Sequence, residues 1–510
     1  MAPVLRKLHD VRVYAAAASL VLSAWAIYID DVINNDGILY VRVAQLISQG
    51  EWNTAVSLHK WPFYSCLIAL TGTVTGLDLE PAAHLLDALL LVLIVTSFIT
   101  LVQILGGDRK TLVAAAAVIL LYPGLNEYRS FVIRDFGYLG FYLLSLVFYF
   151  KTLNTDRWRL HAAWFASAII AALFRIEGFA LVLAMLILIR AKHWTGRNLV
   201  FKVSLVVVPA FAAMFIAFSW WIVGTQTQAG IGEILRLTVT KLFQTAHSRL
   251  EILSELVLPK YSADHALIVL VVSGITILTV EILSRLTIVN AFLAAHAWYR
   301  NVLFPLSGAK RVWSALVIAN LSILAAIVAG VFFLTGRFPL AFSLTVMLAV
   351  PFSLCVLYED WRAKPRTVAA RNWKFPVAAA LIVLTGLSGM TRFTDKTYLK
   401  EGALWIKQNA HSNTKLMTNE IVVTHYAGRP VFEEIQPSNS EQTEAFLRSG
   451  AWHNYDYLAL NVKHRDRHRA DAWIAQMNLT PVKVFKNMRN DQLLIFSTSP
   501  GFDEKESRSR

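Results

Sequence analysis

Between Pro81 and Leu105 the chain reads PAAHLLDALLLVLIVTSFITLVQIL, an apolar run of bilayer length. Roughly 20 apolar residues at a rise of about 1.5 Å each cross a hydrocarbon core of about 30 Å, and a helix satisfies its own backbone amides there. Runs of the same kind recur along the sequence, so expected spans fall at 11–29, 81–105, 111–124, 136–150, 160–173, 178–189, 203–223, 265–283, 312–334, 339–357 and 375–390. Of the 510 residues, 56% are hydrophobic and 16% charged, with a mean hydropathy of +0.50, which is too apolar for a soluble globule. The expected fold class is mostly α: a polytopic membrane protein with about eleven transmembrane helices.

The formal charge of +14 would point to nucleic acid in a soluble protein. Here the Lys and Arg residues gather between the apolar runs, as the positive-inside bias of loops requires, and no nucleic-acid partner is expected. With the N-terminus inside, loops 106–110, 151–159, 190–202, 285–311 and 359–374 share the inner side and hold most of the basic residues outside the tail. Stretches 61–77 and 286–306 are also apolar, but counting either alone as a span would invert every later loop. Both are expected as helices lying at the membrane interface, the former in the first outer loop. Arg6, Lys7 and Arg12 precede the first run, and Ala24-Trp25-Ala26 resembles a cleavage site, yet the run is long enough to be an uncleaved first span. Two cysteines, Cys66 and Cys355, offer neither a disulfide framework nor a cysteine-rich metal site.

After Met390 the hydropathy falls. A helical period at 398–409 and strand-like stretches at 457–462 and 492–497 predict a small α/β domain, which the parity of the spans places outside. The expected organisation is a membrane domain at 1–390 with its first outer loop at 30–80, an outer α/β domain at 391–499 and a disordered tail at 500–510. No glycine-rich phosphate loop or nucleotide fingerprint occurs, which argues against a soluble catalytic domain. No sequence repeat is visible, which disfavours the inverted-repeat transporters.

The unusual ionisable residues collect on the outer side. Asp30, Asp31, Asp36 and Lys60 fall in the first outer loop, among the aromatics Tyr40, Trp52, Trp61 and Tyr64; Glu127, Arg129, Arg134 and Asp135 fall in the second; Arg175 and Glu177 fall in the third. Arg134-Asp135 and Arg175-Ile176-Glu177 stand against apolar runs, where an unpaired charge is costly, so they pair or bind a ligand. Such a set suits a lipid-anchored substrate with an anionic head. Arginine and lysine would hold a phosphate, and a carboxylate would take the proton from an attacking hydroxyl.

The string Asp36-Gly37-Ile38-Leu39-Tyr40, the helix end Gly50-Glu51-Trp52 and the run Lys60-Trp61-Pro62-Phe63-Tyr64 resemble the first outer loop of C-type (GT-C) membrane glycosyltransferases. The likeness is to the protein mannosyltransferase-like group and the lipid A aminoarabinose transferases. Arg134-Asp135-Phe136-Gly137 and Phe174-Arg175-Ile176-Glu177-Gly178 resemble later arginine-bearing motifs of that superfamily. The similarity covers roughly the first 200 residues, and order, spacing and common sidedness make the combination specific. This sequence has Gly37 where some relatives carry a second acid, and Trp61 in place of one proline of a Lys-Pro-Pro triplet.

The resemblance implies a multi-pass protein of the bacterial inner membrane, N-terminus cytoplasmic, with its active site in the periplasm. It would move a single sugar from a polyprenyl-phosphate donor to a hydroxyl of a periplasmic glycan, lipid or protein, inverting the anomeric centre. In that picture Asp36 is the catalytic base and Asp135 the second-loop acid. Lys60, Arg134 and Arg175 bind donor phosphate, supported by Tyr40, Tyr64 and Glu177. No cofactor is required; a divalent cation is compatible but not demanded, since Lys and Arg alone can neutralise a leaving monophosphate.

Simpler readings stand beside these. Asp36 would serve as N-cap of a helix over 37–48. Arg134 and Asp135 would form a structural ion pair, and Arg175 and Glu177 would anchor a helix end. His464 and His468 have a helical metal-ligand spacing near Asp466, but Lys463, Arg465, Arg467 and Arg469 around them mark a solvated basic face. Tyr426, Gly428 and Arg429 read as a turn, either one that meets an acceptor or a plain loop. The rival function is a transporter or flippase of polyprenyl-linked or other amphipathic solutes, which would need polar groups near mid-membrane.

Overall fold

The computed structural model describes residues 10–153, 155, 157–175, 177–179, 185, 247–304, 308–363, 373–391, 395–411, 414–429 and 440–498. The expected span at 203–223, most of that at 178–189 and the 500–510 tail lie outside them. The first labelled helices are α1 (Val11–Ile29), α2 (Asn35–Ser48), α3 (Trp52–Leu58), α4 (Phe63–Thr75), α5 (Leu79–Ile104), α6 (Arg109–Leu120), α7 (Asp135–Thr152) and α8 (Trp158–Phe174). Beyond residue 246 come α9 (Ala266–Leu286), α10 (Ile288–Tyr299), α11 (Ala309–Val331), α12 (Leu340–Met347), α13 (Val350–Ala363) and α14 (Lys374–Met390). The C-terminal part adds α15 (Thr397–Asn409), α16 (Ile421–Tyr426), α17 (Ser440–Arg448) and α18 (Arg467–Met477), with strands β1 (Leu416–Thr418), β2 (Tyr457–Val462), β3 (Lys483–Lys486) and β4 (Gln492–Ser497).

Among the described residues, Val11–Ile29, Leu79–Ile104, Lys260–Leu286, Ala309–Val331 and Leu340–Ala363 are long and apolar enough to cross a membrane, and the chain is a mostly helical, multi-pass membrane protein. Phe63–Thr75, Trp158–Phe174 and Lys374–Met390 are apolar but shorter. By contact the chain divides into two compact units, one of residues 1–22, 87–129 and 134–391, the other of residues 23–86, 130–133 and 392–510.

In the first unit, α7 is buried along nearly its whole length and packs against α8 as an antiparallel hairpin. Apolar side chains gain little by leaving lipid for protein, so close van der Waals fit and small residues decide such contacts. Gly137 shows this: a Cβ there would overlap the Phe174 ring, so only glycine lets α8 end against the start of α7. A buried polar network ties α7 to α11 and α12. Asn320 Nδ2 donates to the Tyr142 hydroxyl at 3.1 Å, that hydroxyl lies 2.9 Å from Thr345 Oγ1, and Trp313 Nε1 donates to the Thr345 carbonyl at 2.7 Å. At the start of α6, Asp108 accepts from the Thr111 amide at 2.9 Å and caps the helix.

Arg285, which the loop charges assign to the inner side, meets Glu127, assigned to the outer side: Arg285 Nη1 lies 2.5 Å from Glu127 Oε2. At its far end α10 pairs Arg300 with Asp360 at 3.6 Å, after His296 Nδ1 has come within 2.8 Å of Ser353 Oγ. Helix α10 therefore runs alongside α13, from the level of Glu127 toward the end where Lys110 meets Glu359 at 2.5 Å. The cause is a break at Thr287 (φ 64°), whose hydroxyl caps the new helix on the Asn290 amide at 3.3 Å.

The second unit holds α2, α3, α4 and the C-terminal sheet, whose strand order is β1-β2-β4-β3. Strands β1 and β2 are parallel and the other pairs antiparallel, with Leu458 opposite Phe496 and Leu460 opposite Leu494. Those side chains face Trp452, Trp473 and Met477 in one core. On the alternate positions Leu493 meets α15 beside Gly402, and Asn461 Oδ1 accepts from the Tyr398 hydroxyl at 2.8 Å. With both faces covered, β2 is almost wholly buried.

Candidate active site

The hairpin of α7 and α8 brings together two charges far apart in sequence. Asp135 opens α7 and Arg175 follows the last residue of α8; both are buried, at 3% and 7% exposure. Arg175 Nη1 donates to Asp135 Oδ1. Its Nε and Nη2 grip both oxygens of Glu177 at 3.2 and 2.8 Å, a bidentate pair. A second guanidinium reaches the same aspartate, with Arg337 Nη1 lying 3.5 Å from Asp135 Oδ2. Desolvating isolated charges costs several kcal/mol per ion, and here that cost is offset because each carboxylate faces a guanidinium.

The short segment 336–338, between α11 and α12, supplies more than Arg337. The Phe338 ring lies 4.4 Å from the Arg175 guanidinium, a cation–π contact. A Cβ on Gly336 would overlap the Arg285 guanidinium, so glycine here leaves room for the arginine that pairs with Glu127. Arg337 and Arg285 were not among the site residues expected from sequence. The signal was present in Gly336-Arg337-Phe338-Pro339, an arginine set between two apolar runs like Arg134 and Arg175.

Among the residues expected from sequence, Asp135, Arg175 and Glu177 thus form one cluster, and Arg134, half-buried, adjoins Asp135 in the chain. Arg129 is turned elsewhere: it donates to Asn126 Oδ1 at 2.7 Å and to the Ser19 carbonyl at 3.1 Å. Asp36 and Lys60 belong to the other unit. Asp36 is half-buried in the first turn of α2, where a carboxylate suits the positive end of the helix dipole, but it is not the N-cap. The cap position is Asn34, whose side chain is spent across the loop, accepting from the Val132 amide at 2.8 Å and donating to the Val132 carbonyl at 3.4 Å. Lys60 is exposed. Tyr40 and Tyr64 are buried and meet edge to face, ring centroids 5.1 Å apart, with His59 on the other side of Tyr40 at 5.5 Å. They join α2 to α4. Among the described residues no three His, Cys, Asp or Glu side chains gather to hold a metal ion.

Burial by itself would raise the Glu177 carboxyl, but the Arg175 guanidinium outweighs it and holds the group below the usual carboxylate range. The folded value therefore lies below the unfolded one. The pair's stabilisation is fully present above the ordinary glutamate value of about 4.3 and is lost as pH falls through the lower folded value. Glu177→Gln is expected to lower stability by about 2 kcal/mol at neutral pH, the scale of a hydrogen bond to a charged group. Thermal unfolding of both proteins from pH 7 to pH 3 checks this: the gap should close only in acid, and a gap constant with pH would refute it.

In fold the chain is similar to two solved proteins. The chain aligns over 96% of its length, and over 98% of the other, with ArnT from Cupriavidus metallidurans solved with undecaprenyl phosphate, at a TM-score of 0.51 and 11% identity. Over 95% of its length, and 73% of the other, it aligns with the oligosaccharyltransferase of Archaeoglobus fulgidus solved with Zn and sulfate, at a TM-score of 0.53 and 14% identity. At these identities the likeness is one of fold. No family model matches the sequence, and no curated protein matches it.

Proposed function

We propose that this protein is a membrane glycosyltransferase that moves one sugar from a polyprenyl-phosphate donor to a hydroxyl of a periplasmic glycan, lipid or protein. The observation that carries the reading is the buried ion cluster of Asp135, Arg175, Glu177 and Arg337, in a chain with the GT-C fold. Arg134, Arg175 and Arg337 bring more positive charge to this place than Asp135 and Glu177 cancel, which suits an anionic leaving group. Arg175 is already held by two carboxylates, so it shapes the cluster. Within the cluster, Arg134 and the less buried Arg337 are more open to donor phosphate, and Lys60 is assigned the same role from the sequence motif alone.

In the reaction the acceptor oxygen attacks the anomeric carbon as the bond from that carbon to the phosphate oxygen breaks. The polyprenyl phosphate leaves with the bonding electrons, and the hydroxyl proton passes to Asp36, inverting the centre. Asp135 orients the guanidinium groups. Tyr40 and Tyr64, packed on each other, steady the helix that carries Asp36. The solved ArnT holds undecaprenyl phosphate, which favours a lipid-phosphate donor for this chain also. The organisation that goes with this reading is a membrane domain at 1–390 in a bacterial inner membrane, cytoplasmic N-terminus, and a periplasmic domain at 391–499.

The test is transfer by the purified protein in lipid nanodiscs, with a panel of polyprenyl-phosphate sugars and periplasmic glycan, lipid and protein acceptors. One donor should yield free polyprenyl phosphate and a glycosylated acceptor in equal amounts, and an arm with EDTA reads dependence on a divalent ion. Movement of the intact lipid across a sealed bilayer, with no transfer from any donor, would replace this reading by the transporter.

A further inference from the structure

Residues 30–34 join α1 to α2 without regular structure, one turn ahead of Asp36. Within the second unit, polar groups of Asp31 and Ile33 are met by side chains from the C-terminal part of the sequence. The Ile33 amide, on a fully buried residue, donates to the Tyr426 hydroxyl at 3.0 Å. Lys400 Nζ donates to the Asp31 carbonyl at 3.1 Å and to its carboxylate at 2.8 Å. The Tyr426 hydroxyl is itself aimed, donating to Glu80 Oε1 at 2.7 Å, while His425 Nε2 holds the other Glu80 oxygen at 3.0 Å. The Lys400 ammonium stands 4.8 Å over the Tyr426 ring. The next residue, Asn34, is tied to the backbone amide and carbonyl of Val132.

A buried amide with no water must find a partner in the protein, and Tyr426 is the partner this amide finds. Burial, and next to it the Glu80 carboxylate, push the Tyr426 hydroxyl well above its ordinary value, so it stays a neutral donor and acceptor at any working pH. The expected turn at 426–429 is thus an anchor at its first residue: Tyr426 ends α16, and only Ala427–Arg429 leave it.

We propose that Tyr426 is a positioning residue, through which the C-terminal domain sets residues 31–34 and so the first turn of α2 with Asp36. This rests on the reading of Asp36 as the base. It assigns the C-terminal domain a part in the transfer step: at the start of the catalytic helix it holds Ile33 while the Val132 backbone holds the neighbouring Asn34.

Tyr426→Phe in the full chain tests it, since the ring and its contacts with His425 and Lys400 remain and only the hydroxyl is lost. The expected result is a roughly tenfold fall in kcat with donor KM unchanged, because small misplacements of a reacting group cost large factors in rate. Hydrogen exchange at the amides of residues 31–36 should quicken, while exchange in the β2–β4 core should not change. Unchanged exchange at 31–36, or faster exchange with wild-type kcat, would overturn the proposal. If Tyr426→Phe does not fold, Glu80→Ala replaces it with the same readouts, removing the acceptor that aims the phenol at the Ile33 amide. Asp36→Asn is run beside it: full activity there is a failure of the base reading, whereas lost activity there with unaltered kcat in Tyr426→Phe is a failure of this proposal alone.

Discussion

Asp36→Asn should give a folded protein that binds the lipid donor as before and transfers sugar about 10²–10⁴-fold more slowly, the usual contribution of a positioned general base. Asparagine keeps the size and a hydrogen-bonding side chain in the first turn of α2, and since the cap position belongs to Asn34, helix formation loses no cap. The charge lost near the helix start costs about 0.3–1 kcal/mol, too little to unfold the chain. Single-turnover transfer at saturating donor isolates the chemical step. Wild-type turnover in the mutant would remove Asp36 from the mechanism.

Arg175→Met should be the most destabilising single change in the cluster. It leaves Glu177 without its bidentate partner, and Asp135, buried at the start of α7, then faces Arg337 at 3.5 Å. Breaking a buried pair from one side typically costs about 3–5 kcal/mol, mainly because the other charge stays desolvated. Adding Asp135→Asn should recover part of the loss, since the two side chains touch and their effects will not add. Thermal unfolding of the two single mutants and the double mutant in detergent gives the comparison. A double mutant whose loss equals the sum of the singles would show that the contact is not what holds the hairpin together.

Much of the fold class was legible because its signals are local. Bilayer-length apolar runs and basic loops identify a multi-pass membrane protein, and the strings at 36–40, 60–64, 134–137 and 174–178 pointed to the GT-C fold. The cluster was only half legible. Asp135, Arg175 and Glu177 stood out as charges against apolar runs; Arg337 carried the same mark in a loop too short to draw notice, and nothing local says that this loop meets α7. The capping of α2 was misassigned to Asp36 because capping rules rank side chains by type, whereas the helix starts at Asn35 and Asn34 turns its amide to Val132. The Arg285–Glu127 pair was not foreseen because a loop-charge count treats every basic residue near a span end as inner.

The residues alone settled what solvent this chain lives in and where its charges are too expensive to be idle, because hydropathy and the cost of burying an ion depend on stretches a few residues long. Which charge meets which was decided by tertiary packing. Gly137 letting Phe174 close the hairpin, Gly336 making room for Arg285, and a tyrosine near the chain's end satisfying an amide near its start are contacts between segments that no local pattern couples.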